Sequence, residues 1–383
     1  MSLIKLIIGA DLVPTAANIE FFNSGDADHL LGHSLKRLLE QADYRIFNLE
    51  VPLTDKASPI SKCGPNLIAP TSTIAGYKAM GVNILTLANN HILDQNAAGL
   101  RDTQRLLEEN GIVYFGAGNT AEEAAAPYIL DCGGKKVGIY ACAEHEFSIV
   151  SSHSPGANPF DPLESPGHVA DLKKSCDYVI VLYHGGKEHY RYPSPNLQKV
   201  CRKLVEKGAD LVLCQHTHCI GCEEKYQNGT IVYGQGNFLF DASASEYWQT
   251  SLLVQIKEDF TVSYIPLVKK NETVRLAEGP DAEAIMGDFQ KRSLEIQQSG
   301  VIEKKYAEFA QSMITSYLLA ISGMSRSILF RIANKLSGHR LAPWVIERKY
   351  NKQVLFALEN YIDCEAHREL LMQGLLAMQV NHK

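Results

Sequence analysis

Two histidines separated by one residue, His216 and His218, follow the apolar run 209–214 and Gln215. A run of this kind predicts a short buried strand, and the turn after it can present two imidazoles to one metal ion. On this spacing alone, a pair of ordinary hydrogen-bonded histidines is an equal alternative. The pair therefore indicates a metal site whose other ligands must come from elsewhere in the chain.

Four other strand-like apolar runs also end in residues that could bind a metal. These residues are Asp11, Glu50, the group Asn89-Asn90-His91, and His184. In open α/β sheets, ligands bind at the carboxyl ends of the strands. The repeated order of strand and then polar residue therefore predicts one composite site.

The chemistry that such a set favours is metal-assisted hydrolysis. A two-metal site needs a carboxylate shared by the ions, neutral imidazoles and an open position for water. The candidate ligands are Asp11, Glu50, Asn90, His184, His216 and His218. Beside them, His91 could protonate a leaving group while Asp94 orients its ring. Asp94 could equally be the N-cap of a following helix.

The elements that must position these residues alternate along the first part of the chain. Between residues 3 and about 268, β-rich runs alternate with helical segments at 72–80, 95–110 and 196–207, which indicates an α/β fold. After residue 268, Leu, Ile, Met and Ala recur at helical spacing. The predicted helices are 283–298, 304–322, 325–336, 343–362 and 365–379. We therefore predict a catalytic domain over 1–274 and a helical C-terminal subdomain over 275–383.

The site residues lie in six motifs that follow one another along the chain. They are Asp11 after Gly9, Asn48-Leu49-Glu50-Val51-Pro52-Leu53-Thr54, Leu87-Ala88-Asn89-Asn90-His91 with Asp94, His184-Gly185-Gly186-Lys187-Glu188, Gln215-His216-Thr217-His218, and Tyr233-Gly234-Gln235-Gly236-Asn237-Phe238. This series resembles the CapA family of poly-γ-glutamate capsule biosynthesis proteins, within the calcineurin-like metallophosphoesterase superfamily. The resemblance covers roughly residues 3–268 and does not extend over 282–383.

The resemblance implies a four-layer αββα sandwich and one or two divalent ions (Mn, Zn, Fe or Mg). It implies that Glu50 bridges the ions. By the same likeness, Asp11 and His218 hold one ion, while Asn90, His184 and His216 hold the other. His91 would be the catalytic acid and Asp94 its orienting partner. The chain departs from the wider superfamily in having Val13 where a D-x-H histidine would stand, and Glu50 where an Asp would bridge.

Charged residues near these motifs predict a cleft for an anionic substrate. The candidate substrate contacts are Lys62, Lys187, Glu188, Arg191 and Asn237. The leading hypothesis is a metal-dependent hydrolase acting on a phosphoester or related anionic substrate, linked by resemblance to capsule biosynthesis. The alternative is a non-catalytic accessory module that binds an anionic polymer and has a degenerate metal site.

Bulk properties narrow the class of protein further. Residues 1–281 carry 24 Lys+Arg against 33 Asp+Glu, and 282–383 carry 13 against 10, so the predicted catalytic half is acidic and argues against nucleic acid as a partner. The absence of a leader-like start, the lack of a 20-residue apolar stretch and nine scattered cysteines predict a cytoplasmic protein with reduced thiols. The C-terminal helices are expected to pack over the acidic domain or to mediate self-association. The alternatives are a bundle that folds on its own and, third, a membrane-surface helix with Arg326, Arg331 and Lys335 beside Leu329 and Phe330.

Overall fold

The computed structural model describes residues 5–240 and 245–381. The strands are β1 Leu6–Asp11, β2 Tyr44–Asn48, β3 Ile84–Thr86, β4 Val113–Phe115, β5 Ala117–Gly118, β6 Tyr128–Cys132, β7 Lys135–Ala143, β8 Gly156–Ala157, β9 Tyr178–His184, β10 Leu211–Gln215, β11 Glu223–Tyr226, β12 Gly229–Val232, β13 Thr250–Ile256, β14 Val262–Lys270 and β15 Thr273–Leu276. The helices are α1 Ile19–Ser24, α2 Ala27–Glu40, α3 Ile74–Ala79, α4 Asn96–Glu109, α5 Ala121–Ala125, α6 Ser165–Lys173, α7 Pro195–Glu206, α8 Gly279–Glu295, α9 Val301–Ile321, α10 Ile328–Leu336, α11 Leu341–Lys349, α12 Lys352–Asp363 and α13 Glu365–Asn381.

Two large mixed sheets form the centre of the first part of the chain. One has the order β15-β14-β13-β1-β2-β3-β4, in which β1 to β4 run parallel and β13 joins antiparallel to β1. The other has the order β11-β12-β10-β9-β7-β6, with a parallel centre and an antiparallel strand at each edge. The parallel strands of each sheet bring their carboxyl ends to one edge, where ligands bind in folds of this type.

Side-chain alternation along the central strands shows that the sheets face each other. In β9, Ile180 and Leu182 lie in a core shared with Ile8 of the first sheet, whereas Val179 and Val181 point to the opposite face. Successive residues of a strand point to opposite faces, so a strand buried on both sides is covered twice. Helices cover the outer faces, which gives the predicted αββα layers.

The three helices predicted in the α/β part are present as α3, α4 and α7, with shifts of one or two residues at their ends. Segment 72–80 begins as a 3-10 turn, Thr71–Thr73, before α3. The helix predicted for 95–110 is α4, and its N-cap is Gln95. The alternative that Asp94 is the N-cap is therefore wrong.

The chain consists of two compact units, Met1–Tyr306 and Ala307–Lys383. Helix α8 belongs to the first unit, where Phe289 joins the core between the sheets. The boundary that we predict between 274 and 275 stays a prediction, since compactness alone does not define a domain.

In the second unit, the single helix predicted for 343–362 is wrong. The segment forms two helices, α11 and α12, with a break before Asn351. The Asn351 side chain accepts hydrogen bonds from the amides of Gln353 and Val354, both at 3.1 Å, and so caps α12. A small core of Leu318, Ile346 and Tyr350 holds the unit. None of the helices in the described ranges 5–240 and 245–381 is long and apolar enough to cross a membrane.

Candidate metal centre

The six predicted metal ligands meet at the carboxyl edge of the two sheets. Each is the last residue of a central strand or lies within about four residues of its end, and each is at least nine-tenths buried. The residues and their preceding strands are Asp11 at the end of β1, Glu50 after β2, Asn90 after β3, His184 at the end of β9, and His216 and His218 after β10. The topology therefore brings together residues that are up to 207 positions apart, from Asp11 to His218.

Two groups of possible ligand atoms share one carboxylate. Glu50, His184 and His216 form one group, and Asp11, Glu50 and His218 form the other, with the ligand atoms of each group within 4.8 Å of one another. In the first group His184 Nε2 lies 3.2 Å from Glu50 Oε1 and 3.1 Å from His216 Nδ1. Glu50 thus stands where a bridging carboxylate is needed.

The oxygens of the shared carboxylate indicate that a cation fits here. Both Glu50 oxygens and Asp11 Oδ2 are buried and have no partner of good hydrogen-bond geometry among the described residues, although two imidazoles approach them: His184 Nε2 lies 3.2 Å from Glu50 Oε1, and His218 Nδ1 lies 3.4 Å from Asp11 Oδ2. Burial of a carboxylate without an opposite charge costs roughly several kcal/mol of free energy. Buried carboxylates are therefore paired with a cation or bind a metal ion. The mixture of carboxylate, amide oxygen and imidazole suits a divalent ion of the Mn, Fe or Zn type.

Burial and neighbouring charges shift the pKa values of the two histidines after β10. Burial alone would lower the pKa of His218, but its hydrogen bond with Asp11 and the charge of Glu50 raise that pKa to about 9. Burial, together with the charges of His184 and His218, lowers the pKa of His216. The carboxylates therefore draw positive charge to this position, and a metal ion would supply it while displacing protons.

Backbone conformation at the histidine pair is unusual. His216 has a φ of 77° and His218 a φ of 53°, both in the left-handed region that side chains other than glycine seldom occupy. Each such residue costs about 1–3 kcal/mol, and these conformations concentrate at functional sites. These backbone conformations direct the side chains of His216 and His218 toward the same group of carboxylates.

Several residues that we did not select from the sequence support the ligands. Asn90 donates through Nδ2 to Glu146 at 2.6 Å, which leaves its Oδ1 3.0 Å from His184 Nε2. Asn48 donates to Asp11 at 2.8 Å and lies 3.1 Å from His184 Nδ1. Asn48 stands two residues before Glu50 in the quoted motif, so its position was a usable signal, whereas Glu146 belongs to none of the motifs.

His91, Asp94 and Lys62 form a second cluster next to Asn90. His91 Nδ1 lies 2.6 Å from Asp94 Oδ2, and the Leu67 amide donates to the same oxygen at 2.6 Å. Lys62 forms an ion pair with the other Asp94 oxygen, and its Nζ lies 3.2 Å from His91 Nδ1. The Lys62 side chain is only 1% exposed, so this lysine is placed to support Asp94 rather than to project into solvent.

The loop after β9 carries the other predicted substrate contacts and lies against the histidine turn. Its His189 amide donates to the Thr217 carbonyl at 2.8 Å. Lys187 pairs with Glu188 at 3.1 Å, and Arg191 donates to the Ile220 carbonyl at 3.1 Å. Direct contact of these residues with a substrate stays a prediction.

Two adjacent glycines let this loop leave the metal centre. A Cβ on Gly185 would lie 2.7 Å from Glu144, and Gly186, with a φ of 106°, donates its amide to Glu144 at 2.9 Å. Burial raises the pKa of Glu144, a residue that the motifs did not include. The His184-Gly185-Gly186 sequence therefore has a steric reason: only glycine passes this close to the Glu144 side chain.

Asn237 contacts a predicted ligand rather than open solvent. Its Oδ1 lies 2.8 Å from His218 Nδ1, and the residue is fully buried. The indole of Trp248 covers the same imidazole at a ring-centroid distance of 4.9 Å. Asn237 is thus placed to orient His218, and a contact between Asn237 and substrate stays a prediction.

The position where the wider superfamily has a second histidine is apolar. Val13 is 2% exposed and packs in the core between the first sheet and its helices. It offers no ligand atom, so the Asp11 group has one imidazole where the His184 group has two.

The nine cysteines of the chain are free thiols. Cys214, Cys219 and Cys222, near the two histidines in sequence, are buried.

Comparisons with known proteins place this site in a family context. Residues 6–242 match the family model described as bacterial capsule synthesis protein PGA_cap. The capsule biosynthesis protein CapA of Bacillus anthracis is 29% identical over 262 residues, which is 66% of this chain and 63% of that protein. The PGA biosynthesis protein CapA of Bacillus subtilis (strain 168) is 27% identical over 212 residues, 53% of this chain and 55% of that protein.

These matches therefore span less than two thirds of the length of either relative. Among solved structures, a novel phosphatase from Mycoplasma pneumoniae superposes with a TM-score of 0.46 and 14% identity, covering 71% of this chain and 95% of that one.

Proposed function

The chain belongs to the bacterial capsule synthesis protein family, and from this premise we propose that it is a metal-dependent hydrolase acting on a phosphoester or a related anionic substrate. One observation carries the proposal. Glu50 is buried and shared by two groups of ligand atoms, with the His184 imidazole 3.2 Å from one oxygen and no hydrogen bond of good geometry to either oxygen from the described residues. A carboxylate in that state suits divalent cations better than a structural role in a protein core.

The residues would divide the work as follows. Glu50, His184, His216 and Asn90 would hold one ion, and Asp11 and His218 would hold a second one with Glu50. A bound divalent ion lowers the pKa of water from ~15.7 toward ~7 and offsets charge on the substrate oxygens.

His91 would act as the general acid. Its Nδ1 is held by Asp94 at 2.6 Å, which leaves Nε2 to donate a proton to the leaving oxygen. Asp94 would orient the imidazole through one oxygen, while its other oxygen pairs with Lys62. Lys62 would therefore be a positioning residue that holds Asp94 and, through it, the His91 ring.

The capsule connection is the less direct part of the proposal. The capsule synthesis family model covers residues 6–242, which lie in the α/β part of the chain. We propose that this chain acts on an anionic substrate in the same type of biosynthesis, with the phosphoester chemistry supported by the ligand set rather than by the names of the relatives.

A second candidate function is favoured by Val13. With a buried valine where a further imidazole would stand, the Asp11 group has few ligands. A chain that has lost one ion could bind an anionic polymer, or a partner in its synthesis, without turning it over.

Metal content and turnover together separate the two functions. The purified full chain would be analysed for bound metals and then assayed on an aryl phosphomonoester and an aryl phosphodiester with Mn²⁺, Mg²⁺ or Zn²⁺. The hydrolase proposal expects metal-dependent release of the phenol that EDTA abolishes and that the double variant His184→Ala with His216→Ala lacks. Metal binding without turnover on any ester would favour the accessory function, and the absence of metal binding would contradict both.

A further inference from the structure

Helix α10, Ile328–Leu336, presents an unpartnered apolar face to solvent. Ile328, Ile332 and Leu336 recur every four residues and Leu329 lies beside them, so all four share one face of the helix. Leu329 is 81% exposed and Leu336 is 84% exposed. Isolated exposed aliphatic residues are ordinary, but four on one helix face form a patch of the kind that marks an interaction site.

The helix is ordered with this face outward. Ser327 caps it by accepting a hydrogen bond from the Phe330 amide at 3.3 Å, and Asn334 accepts one from the Ala342 amide at 2.9 Å, which joins α10 to α11. Phe330 and Asn334 are the partly buried positions of the helix. The contacts within the second unit thus fix the side of α10 opposite to the aliphatic face.

Charge in the sequence around this helix is positive as far as Glu347, which lies near the end of α11. From residue 309 to residue 346 the chain has no Asp or Glu, whereas it has Arg326, Arg331, Lys335 and Arg340. Arg331 and Lys335 are exposed on α10 itself. On the following helix, the Trp344 ring is half exposed. Basic residues flanking an aliphatic face, with an aromatic ring close by in sequence, are typical of helices that lie in the surface of an anionic bilayer.

The same charges argue against a second copy of the chain as the occupant. In a two-fold dimer each copy presents the same patch to the other, so the four cations of one copy would face the four of its partner. No carboxylate between residues 309 and 346 is available to relieve that repulsion. A surface rich in phosphate headgroups relieves it and also accepts the aliphatic side chains.

We propose that α10 and the residues around it bind an anionic lipid bilayer, with Ile328, Leu329, Ile332 and Leu336 inserted among the acyl chains and the flanking cations on the phosphates. The helix lies in the plane of the surface and does not span it. A hydrolase centre held in this way acts near the membrane, although the lipid contact does not depend on that centre.

Vesicle flotation of the full chain tests the proposal. The probes are vesicles of phosphatidylcholine alone and of phosphatidylcholine mixed with phosphatidylglycerol, at low and high salt. The parent chain is expected to float with the anionic vesicles only and to be released by salt. Because each basic residue near an anionic surface contributes about a fivefold gain in binding, Arg331→Glu with Lys335→Glu should weaken binding at least tenfold.

Removal of the apolar contacts should have the same outcome by another route. Leu329→Asp with Leu336→Asp is expected to abolish flotation, and because both side chains are exposed, the circular dichroism of the variant should match that of the parent. Leu163→Asp and Arg105→Glu are matched controls in the first unit, at an 86% exposed leucine and a surface arginine. Both controls should float as the parent does.

Three results would overturn the proposal. They are no binding to anionic vesicles, equal binding to neutral vesicles, and unchanged flotation of the double variants. A concentration-dependent dimer that Leu329→Asp disrupts, without any vesicle binding, would assign the face to a second copy instead. None of these readouts requires a metal or turnover, so a failure here leaves the hydrolase proposal standing.

Discussion

Replacement of Glu50 by Gln should remove metal-dependent stability while the chain stays folded. Glu50 is the carboxylate common to both ligand groups, and its nearby charged partner among the described residues is the His184 imidazole. Glutamine keeps the shape of the side chain and removes the charge. At the 3.2 Å that separates Glu50 from His184, one pair of unit charges is worth about 5 kcal/mol at an effective dielectric constant of about 20.

A loss of that size weakens metal binding by between about three and four orders of magnitude, since each 1.4 kcal/mol is a factor of about ten. At a Mn²⁺ concentration about 1,000 times the dissociation constant of the parent, the parent gains about 4 kcal/mol in free energy of unfolding. At the same concentration the Glu50→Gln chain should gain less than about 1 kcal/mol. In EDTA the two chains should differ by only about 1 kcal/mol, because His184 can release its proton when Glu50 is neutral.

Urea unfolding in EDTA and in Mn²⁺ measures both increments. Glu224→Gln is the matched control: this carboxylate is also largely buried, but it pairs with Arg202 and accepts from Tyr233 at 2.6 Å. Its variant should be less stable than the parent in both buffers and should keep the full increment from Mn²⁺. An increment in Glu50→Gln equal to that of the parent would refute the assignment of Glu50 as a shared ligand.

The remaining predictions concern the imidazoles and their supports. His216→Ala should weaken Mn²⁺ binding, measured by calorimetry, more than His218→Ala does, because His216 belongs to the ligand group with two imidazoles. If His216→Ala binds Mn²⁺ as tightly as the parent, the assignment of His216 as a ligand is wrong. His91→Ala should keep its metal and lose about 10²–10⁴-fold in turnover, whereas loss of metal would make His91 a ligand. Lys62→Met should lower turnover while leaving metal binding as in the parent, because Asp94 loses the ion pair that holds it against His91; unchanged turnover would remove Lys62 from this role.

The strand ends were the most predictable part of the molecule. Strands such as β9 and β10 are buried on both faces, so they read as continuous apolar runs, and a polar residue at their end stands out. His184 and His216 could therefore be selected from sequence, and the parallel topology explains why they meet.

Supporting residues were less predictable because their effect depends on tertiary contacts. Glu146 lies in a loop, and only the folded chain places it 2.6 Å from the Asn90 amide. For the same reason the ion pair of Lys62 with Asp94 was not predicted from the sequence, and a contact between Lys62 and substrate stays a prediction. The break between α11 and α12 was missed because apolar spacing continues across it, and one capping side chain, Asn351, outweighs that periodicity.

A crystal of the full chain soaked with Mn²⁺ and phosphate would test the central claim most directly. The anomalous difference map should contain a peak coordinated by Glu50, His184 and His216, with phosphate on its open side and near His91. A second, weaker peak beside Asp11 and His218 would fit the one-imidazole group. Manganese bound elsewhere on the chain, with no anomalous density between Glu50, His184 and His216, would contradict the account.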